Sequence, residues 1–256
     1  MHLNRTRKLI DDLTCLFASG IRARTLYRNE RTLAAFYARL IKRPRRLAFD
    51  VGANQGEYTK ALAAIFEKVV CFEPQQDLAE NLKITASRIP NILVINKAIS
   101  DSNGQGKISV SQNRAMSSME SNWIKKVKKS NRFGNNSWNK TQKIELITLK
   151  QAFKTYGTPE FLKVDVEGHE AKVFKTLNHP IREICFECTP EARLAAIDVI
   201  EKISSIGNYS FRIQENGFVP FKIKKKKPLS LSETKKNIMA KEFQAPMYYD
   251  IFASLF

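Results

Sequence analysis

From residue 47 onward, short continuous apolar runs alternate with segments in which apolar residues recur every three or four positions. That alternation predicts strands and helices in turn. Leu47–Val51, Val69–Phe72, Ile92–Asn96, Phe161–Val166 and Glu183–Glu187 read as buried strands. Gly56–Phe66, Gln76–Arg88, Gly168–Leu177 and a helix running to Ser205 fill the gaps between them. Such strands, joined by amphipathic helices, build a mostly parallel sheet covered on both faces. Right-handed crossovers then bring the C-terminal ends of the strands to one edge, where open α/β folds bind their ligands. Tyr209–Ile213 and Met247–Ser254 add two later strands; Lys107–Ser111 and Ile144–Leu149 are shorter ones, and Lys150–Tyr156 is a short helix.

Three stretches break this rhythm. Residues 5–43 read as helical, with Leu9, Leu13, Leu33, Phe36, Tyr37 and Leu40 at helical steps, a break at Gly20 and a stop at Pro44. The spacing divides the chain into a basic N-terminal helical segment, 1–46, and one main domain, 47–256. Residues 112–143 lose periodicity and fill with Ser, Asn and Lys, so they read as a disordered or substrate-covering insertion. Trp123 and Trp138 within it point to ligand contact or packing against the N-terminal helices. Residues 222–241, including Lys224 to Lys227 in a row, read as a lysine-rich solvated connection.

Charge sharpens the picture of these stretches. The 256 residues are 43% apolar, ordinary for a globular chain, but the formal net charge is +18. Residues 1–46 hold twelve Lys/Arg against three Asp/Glu, and residues 112–143 hold eight against one. Such patches attract nucleic acid, anionic glycans or a membrane surface, and they serve equally as plain solvated surface. No apolar run reaches membrane-spanning length, Asp11 and Asp12 interrupt the one apolar segment a signal peptide would use, and the expected location is cytoplasmic. Cys15, Cys71, Cys185 and Cys188 are few, and the lone C-x-x-C lies in a strand, so buried reduced thiols are expected. The oligomeric state has no signature.

The chemistry gathers at the strand ends. Leu47-Ala-Phe-Asp-Val-Gly-Ala-Asn-Gln-Gly-Glu-Tyr-Thr59 is a strand, a glycine turn and a helix start. Backbone N–H groups and the positive helix end converge there, which suits an anionic group. A dinucleotide turn needs a second glycine where Asn54 stands, and Glu57 would crowd a pyrophosphate. A ligand with a carboxylate, an amine and a ribose but no phosphate fits; S-adenosylmethionine (SAM) is one. Glu73, ending the next strand, is placed to accept both ribose hydroxyls. Asn96-Lys-Ala-Ile-Ser100 falls where an adenine would lie, near the backbone of Ala98 and the side chain of Ile99. In Lys163-Val-Asp-Val-Glu-Gly-His-Glu170, Asp165 and Glu167 share one face of an extended backbone. They and His169 are the candidate acid–base groups, with Glu187 a further acidic candidate and Glu170 equally suited to the helix dipole. No metal-ligand spacing is visible, although a divalent ion could lower the pKa of an acceptor hydroxyl.

Asp50-Val-Gly-Ala-Asn-Gln-Gly-Glu-Tyr-Thr59, Phe72-Glu-Pro74, Asn96-Lys-Ala-Ile-Ser100 and Lys163-Val-Asp-Val-Glu-Gly-His-Glu170 together resemble the FkbM family of SAM-dependent methyltransferases, over roughly residues 47–213. The resemblance implies a class I methyltransferase, Rossmann-like fold with a seven-stranded sheet whose last strand is antiparallel. It implies O-methylation of a sugar, glycan or natural-product hydroxyl. It carries cofactor contacts onto Asp50, Gly52, Asn54, Gly56, Thr59 and Glu73, and active-site roles onto Asp165 and Glu167. The basic segments lie outside it and leave a small-molecule, glycan or anionic acceptor open. Two rival functions follow from the same residues. One is a nucleic-acid methyltransferase using the basic surface, although Asp165-Val-Glu-Gly replaces the Asn/Asp-Pro-Pro-aromatic loop that base N-methyltransferases often carry. The other is a binding module that keeps the fold without catalysis.

Overall fold

The computed structural model describes residues 28–41, 45–215, 227–244 and 246–256. Cys15, Gly20, Pro44, the helical pattern before residue 28 and Lys224 to Lys226 lie outside them. Helix α1 (Arg28–Leu40) leads into strand β1 (Leu47–Val51), followed by α2 (Glu57–Ala63), β2 (Lys68–Phe72), α3 (Gln76–Ala86) and β3 (Ile92–Ile95). Strands β4 (Ala98–Ser100) and β5 (Gly104–Val110), helix α4 (Ser121–Ser130), β6 (Lys140–Thr148) and α5 (Leu149–Tyr156) come next. The chain closes with β7 (Phe161–Val164), α6 (Glu170–Lys175), β8 (Glu183–Cys188), α7 (Arg193–Ser204), β9 (Tyr209–Glu215), α8 (Leu231–Met239) and β10 (Tyr249–Leu255).

The main sheet runs β3-β2-β1-β7-β8-β10-β9. Its first five strands are parallel, and β10 is antiparallel to both β8 and β9. The order reverses between β1 and β7, so two βα turns diverge there and leave a crevice at the strand ends. Alternation along the strands separates two cores. Phe49, Phe72, Leu162, Val164 and Phe186 face Phe153, Phe174, Val199 and Ile203 of the helices on one side. Ala48, Val69, Cys71, Phe161 and Cys185 face Leu62 of α2 and Leu33, Ala34 and Tyr37 of α1 on the other. Helix α1 therefore packs on the sheet through the apolar stripe its periodicity announced.

Three features depart from the sequence reading. The insertion is ordered: its α4 buries Trp123, Ile124 and Val127 at helical spacing, a stripe short enough to be hidden among Ser, Asn and Lys. A second sheet, β4-β6-β5, stands beside the first and gives that insertion its base, through a bridge between Ser109 and Ser118. The lysine-rich connection also contains α8, started by a capping box in which Ser230 and Glu233 cap each other's backbone N–H groups.

Candidate active site

The glycine turn after β1 bends so tightly that its conformation dictates its residues. Gly52 has φ +85°, and a Cβ there would lie 1.8 Å from the carbonyl oxygen of Asp165. Asn54 also adopts a left-handed conformation, φ 49°. Its N–H donates to Glu73 Oε2 at 2.7 Å, while Gln75 N–H donates to Glu73 Oε1 at 2.8 Å. Each oxygen of this buried carboxylate thus keeps a lone pair for a further donor. Asn96 holds the same corner by donating to the carbonyls of Glu73 and Pro74. Burial pushes Glu73 up to about 7 against the pull of those two N–H groups.

Asp50 sits one layer deeper. Thr59 Oγ1 donates to its Oδ2 at 2.5 Å, and burial pushes the carboxyl up to about 6. Gly52, Asn54, Glu73 and Ala98 line a cavity of about 830 Å³ at the sheet edge, together with Asp165, Glu167 and His169. Asp50, Gly56 and Thr59 are not among the cavity-lining residues: Asp50 and Thr59 brace the turn, and a Cβ on Gly56 would strike Leu82. Asn54 Oδ1 is buried with no hydrogen-bond partner. An acceptor atom left over in the turn, beside a carboxylate with free lone pairs, fits a ligand bearing an amino group and ribose hydroxyls.

The second half of the site grows from one face of the sheet. Asp50 pairs in register with Lys163, and Lys163 with Cys185. One step nearer the strand ends on that face stand Asp165, Glu187 and Asp250, with Asp250 opposite Glu187 in register. Lys163 is completely buried, yet its Nζ lies 3.1 Å from Asp165 Oδ2, 3.2 Å from Asp250 Oδ1 and 4.8 Å from the centre of the Tyr58 ring. Burial works against the ammonium charge, but the two carboxylates outweigh it and hold the pKa above the ordinary lysine value. Asp165, Glu167 and Glu187 bring carboxylate oxygens within 4.8 Å of one another. Burial and then the Asp165 charge push both glutamates above the ordinary carboxylate range. These three could share a proton or hold a divalent cation; the structure brings Glu187, the further acidic candidate, from the neighbouring strand to the two carboxylates after β7.

Glu167 is held in a left-handed conformation, φ 53°. Glu170 secures this turn by accepting from the N–H groups of Val166 and Gly168, both of which precede its own helix. The insertion secures it from above: Ser118 Oγ donates to the carbonyl of Glu167 at 2.7 Å, and a Cβ on Gly168 would lie 2.5 Å from the Trp123 ring. Trp123 Nε1 donates to Thr189 Oγ1. His169 is buried with both ring nitrogens engaged, Nδ1 to Glu120 Oε1 at 2.7 Å and Nε2 to Ser100 Oγ at 3.0 Å. A carboxylate only accepts, so Nδ1 carries a proton; the ring ties the insertion to β4. On the cofactor side, Gln75 accepts from Arg114 Nε and Ser117 Oγ. The insertion is therefore a roof fastened to the ends of β2, β7 and β8. Tyr248, which no motif signals, also lines the cavity, its phenol pushed up to about 12 by burial and Glu187.

A Rossmann-like sheet with this switch point, an acidic residue ending β2 and an acidic turn after β7 defines a class I methyltransferase fold. The family model described as "Methyltransferase FkbM domain" matches residues 50–213. The chain belongs to that family of SAM-dependent methyltransferases. A methyltransferase FkbM from Methylobacillus flagellatus is similar at 14% identity and TM-score 0.47, over 82% of this chain and 56% of that one. A SAM-dependent O-methyltransferase from Thermotoga maritima is similar at 13% and 0.42, over 90% and 66%. The chain thus spans less than two thirds of the length of both. An O-methyltransferase from Bacillus cereus, in complex with SAH, is similar at 11% and 0.47, over 97% and 90%. No curated protein sequence matches the chain.

Proposed function

We propose that this methyltransferase acts on oxygen, transferring the methyl group of SAM to a hydroxyl of a sugar, glycan or natural product. The observation that carries the reading is the carboxylate trio of Asp165, Glu167 and Glu187, set beside the glycine turn in the same cavity. In this reading Glu73 accepts the ribose hydroxyls, Asn54 Oδ1 accepts from the amino group, and Ala98 and Ile99 flank the adenine. SAM supplies an electrophilic methyl group on a positively charged sulfur. Fixing a hydroxyl in line with that carbon supplies much of the acceleration. As the new O–C bond forms and the C–S bond breaks, the hydroxyl proton passes to a carboxylate of the trio. Glu167 and Glu187, raised by burial and then by the Asp165 charge, are better bases than an ordinary carboxylate, and a positioned base contributes about 10²–10⁴-fold. Asp165, fixed by Lys163, orients the hydroxyl. His169 holds the Glu167 turn and the roof in register.

No helix among the described residues is long and apolar enough to cross a membrane. The three described cysteines are buried free thiols, which supports a reducing, cytoplasmic setting. The test has two arms. Calorimetry should find SAM bound by the parent and bound at least tenfold more weakly by Glu73→Gln. Tritiated methyl transfer from SAM to neutral oligosaccharides and polyols should then fall by about 10²-fold or more in Glu167→Gln or Glu187→Gln, with SAM binding retained. SAM binding without transfer to any hydroxyl, or unchanged rates in both variants, would sink the O-methylation reading.

A further inference from the structure

Helix α4 lies between two residues that line the cavity, Met119 before it and Phe133 after it. Its apolar stripe is spent on the roof contacts. Its opposite face is lysine: Lys125, Lys126, Lys128 and Lys129 are all exposed. Between Glu120 and Glu145 the chain holds seven Lys/Arg and no carboxylate. Lys125 and Lys129 stand four residues apart, and Lys125–Lys128 and Lys126–Lys129 three apart, spacings at which like charges weaken a helix. The small sheet repeats the pattern. Lys107 and Lys143 are direct partners across β5 and β6, both exposed, where like charges are again unfavourable. Internal contacts do little to relieve this: Lys126 reaches a carbonyl of Glu191 at 3.4 Å, and Lys128 lies 5.4 Å from the Trp138 ring. The helix C-terminus favours the last two lysines only.

The cavity floor has the opposite sign, with Glu73, Asp165, Glu167 and Glu187 along it. An anionic group would be repelled there, whereas a neutral hydroxyl would be accepted. We propose that the lysine face of α4 grips an acidic polysaccharide, a glycan bearing carboxylate, sulfate or phosphate groups, and holds it across the cavity so that a neutral hydroxyl of the same chain reaches the floor. The second clause rests on the O-methylation reading; the binding surface stands independently of it. Single-stranded nucleic acid fits less well, because its binders interleave basic residues with open aromatic faces. Here Trp123 is buried, and Trp138 is half-buried under Lys128 with its Nε1 donated to the carbonyl of Met116.

The experiment measures binding of fluorescein-labelled heparin by anisotropy across a salt series, with dextran and polyuridylate as competitors. Replacing Lys125, Lys126, Lys128 and Lys129 by alanine should weaken heparin binding at least tenfold and flatten its salt dependence, while SAM binding measured by calorimetry is unchanged. Removing four exposed lysines elsewhere, Lys68, Lys83, Lys150 and Lys154, should leave heparin binding within about threefold. The charge-reversed pair Lys125→Glu and Lys129→Glu gives the same reading should four changes unsettle the roof. Equal losses in both sets would reduce the effect to net charge and overturn the proposal, as would polyuridylate displacing heparin more effectively than unlabelled heparin does. Selective loss of heparin binding, with no hydroxyl of any glycan methylated, would uphold the surface and sink the O-methylation reading instead.

Discussion

Lys163→Met should cost this protein about 3–5 kcal/mol of stability, the loss expected when one partner of a buried ion pair is removed. The geometry explains the size. The ammonium lies 3.1 Å from one carboxylate and 3.2 Å from another, with only 1% of the side chain exposed. At an effective dielectric constant of about 20, each contact contributes roughly 5 kcal/mol of attraction before desolvation. Desolvating three charges offsets most of that sum, so the network itself adds little net stability. What makes the substitution costly is the residue left behind. Asp250, whose side chain is 6% exposed, would remain buried without a cation, whereas Asp165, at 23%, can hydrate. The change should therefore be partly cured by a second one: Lys163→Met combined with Asp250→Asn should lose less than half as much as Lys163→Met alone. Urea unfolding, followed through the fluorescence of Trp123 and Trp138, measures both variants against a total stability of about 5–15 kcal/mol. A single-variant loss below about 1 kcal/mol, or a double variant worse than the single one, would refute the reasoning.

Four shorter predictions test other parts of the molecule. Gly52→Ala should fold poorly and fail to bind SAM in calorimetry, because its Cβ would overlap the Asp165 carbonyl at 1.8 Å; Gly134→Ala, at φ +65° with nothing within 4 Å, should cost only about 1–2 kcal/mol. Glu73 rises from 4.5 to about 7 on folding, so the native state holds its proton longer than the unfolded chain does. That group stabilises the ligand-free protein less as pH climbs from 4.5 to 7, so Glu73→Gln should gain stability relative to the parent across that window in thermal melts; a constant difference would contradict it. SAM binding near neutral pH should release protons for the same reason, visible in calorimetry with buffers of different ionisation heat. Finally, if the trio works by taking a proton, methyl transfer should survive dialysis against EDTA; loss of activity restored only by magnesium or manganese would assign Asp165, Glu167 and Glu187 to a cation instead.

The legible parts of this protein were those whose signal is local in the chain. Strand β1, the glycine turn and Glu73 are each fixed by a few consecutive residues, and the structure assembles them as their order implies. Helix α4 was readable in principle from Trp123, Ile124 and Val127, but three apolar positions in a polar stretch are too few to raise a period above the noise. Helix α8 was signalled by Ser230 and Glu233 at capping-box spacing and was overshadowed by the lysines before it. Thr59 and Gly56 show a second kind of signal. Their place in the motif was right, but a residue can be required by a turn because of what it braces: Thr59 serves Asp50, and Gly56 makes room for Leu82.

The acidic floor was legible only by halves, and the reason lies in the sheet. Phe161, Lys163 and Asp165 alternate with Leu162 and Val164, so β7 and the residue that follows it show charge running up one face of the strand. A lysine in the middle of a buried strand needs a carboxylate within reach, and Asp165, two residues on, supplies one. The strand cannot say that Asp165 is shared. Asp250 comes from β10, which runs against its neighbours and enters the sheet between β8 and β9; only that placement sets Asp250 opposite Glu187. Because the antiparallel strand starts at the edge where the parallel strands end, its first residues belong to the site. Tyr248 and Asp250 are thus cavity wall and counter-charge by topology, without any motif of their own. A fold that inserts strand β10 this way brings Tyr248 and Asp250 to the candidate site, and Lys163 is the group through which that arrangement is electrically balanced.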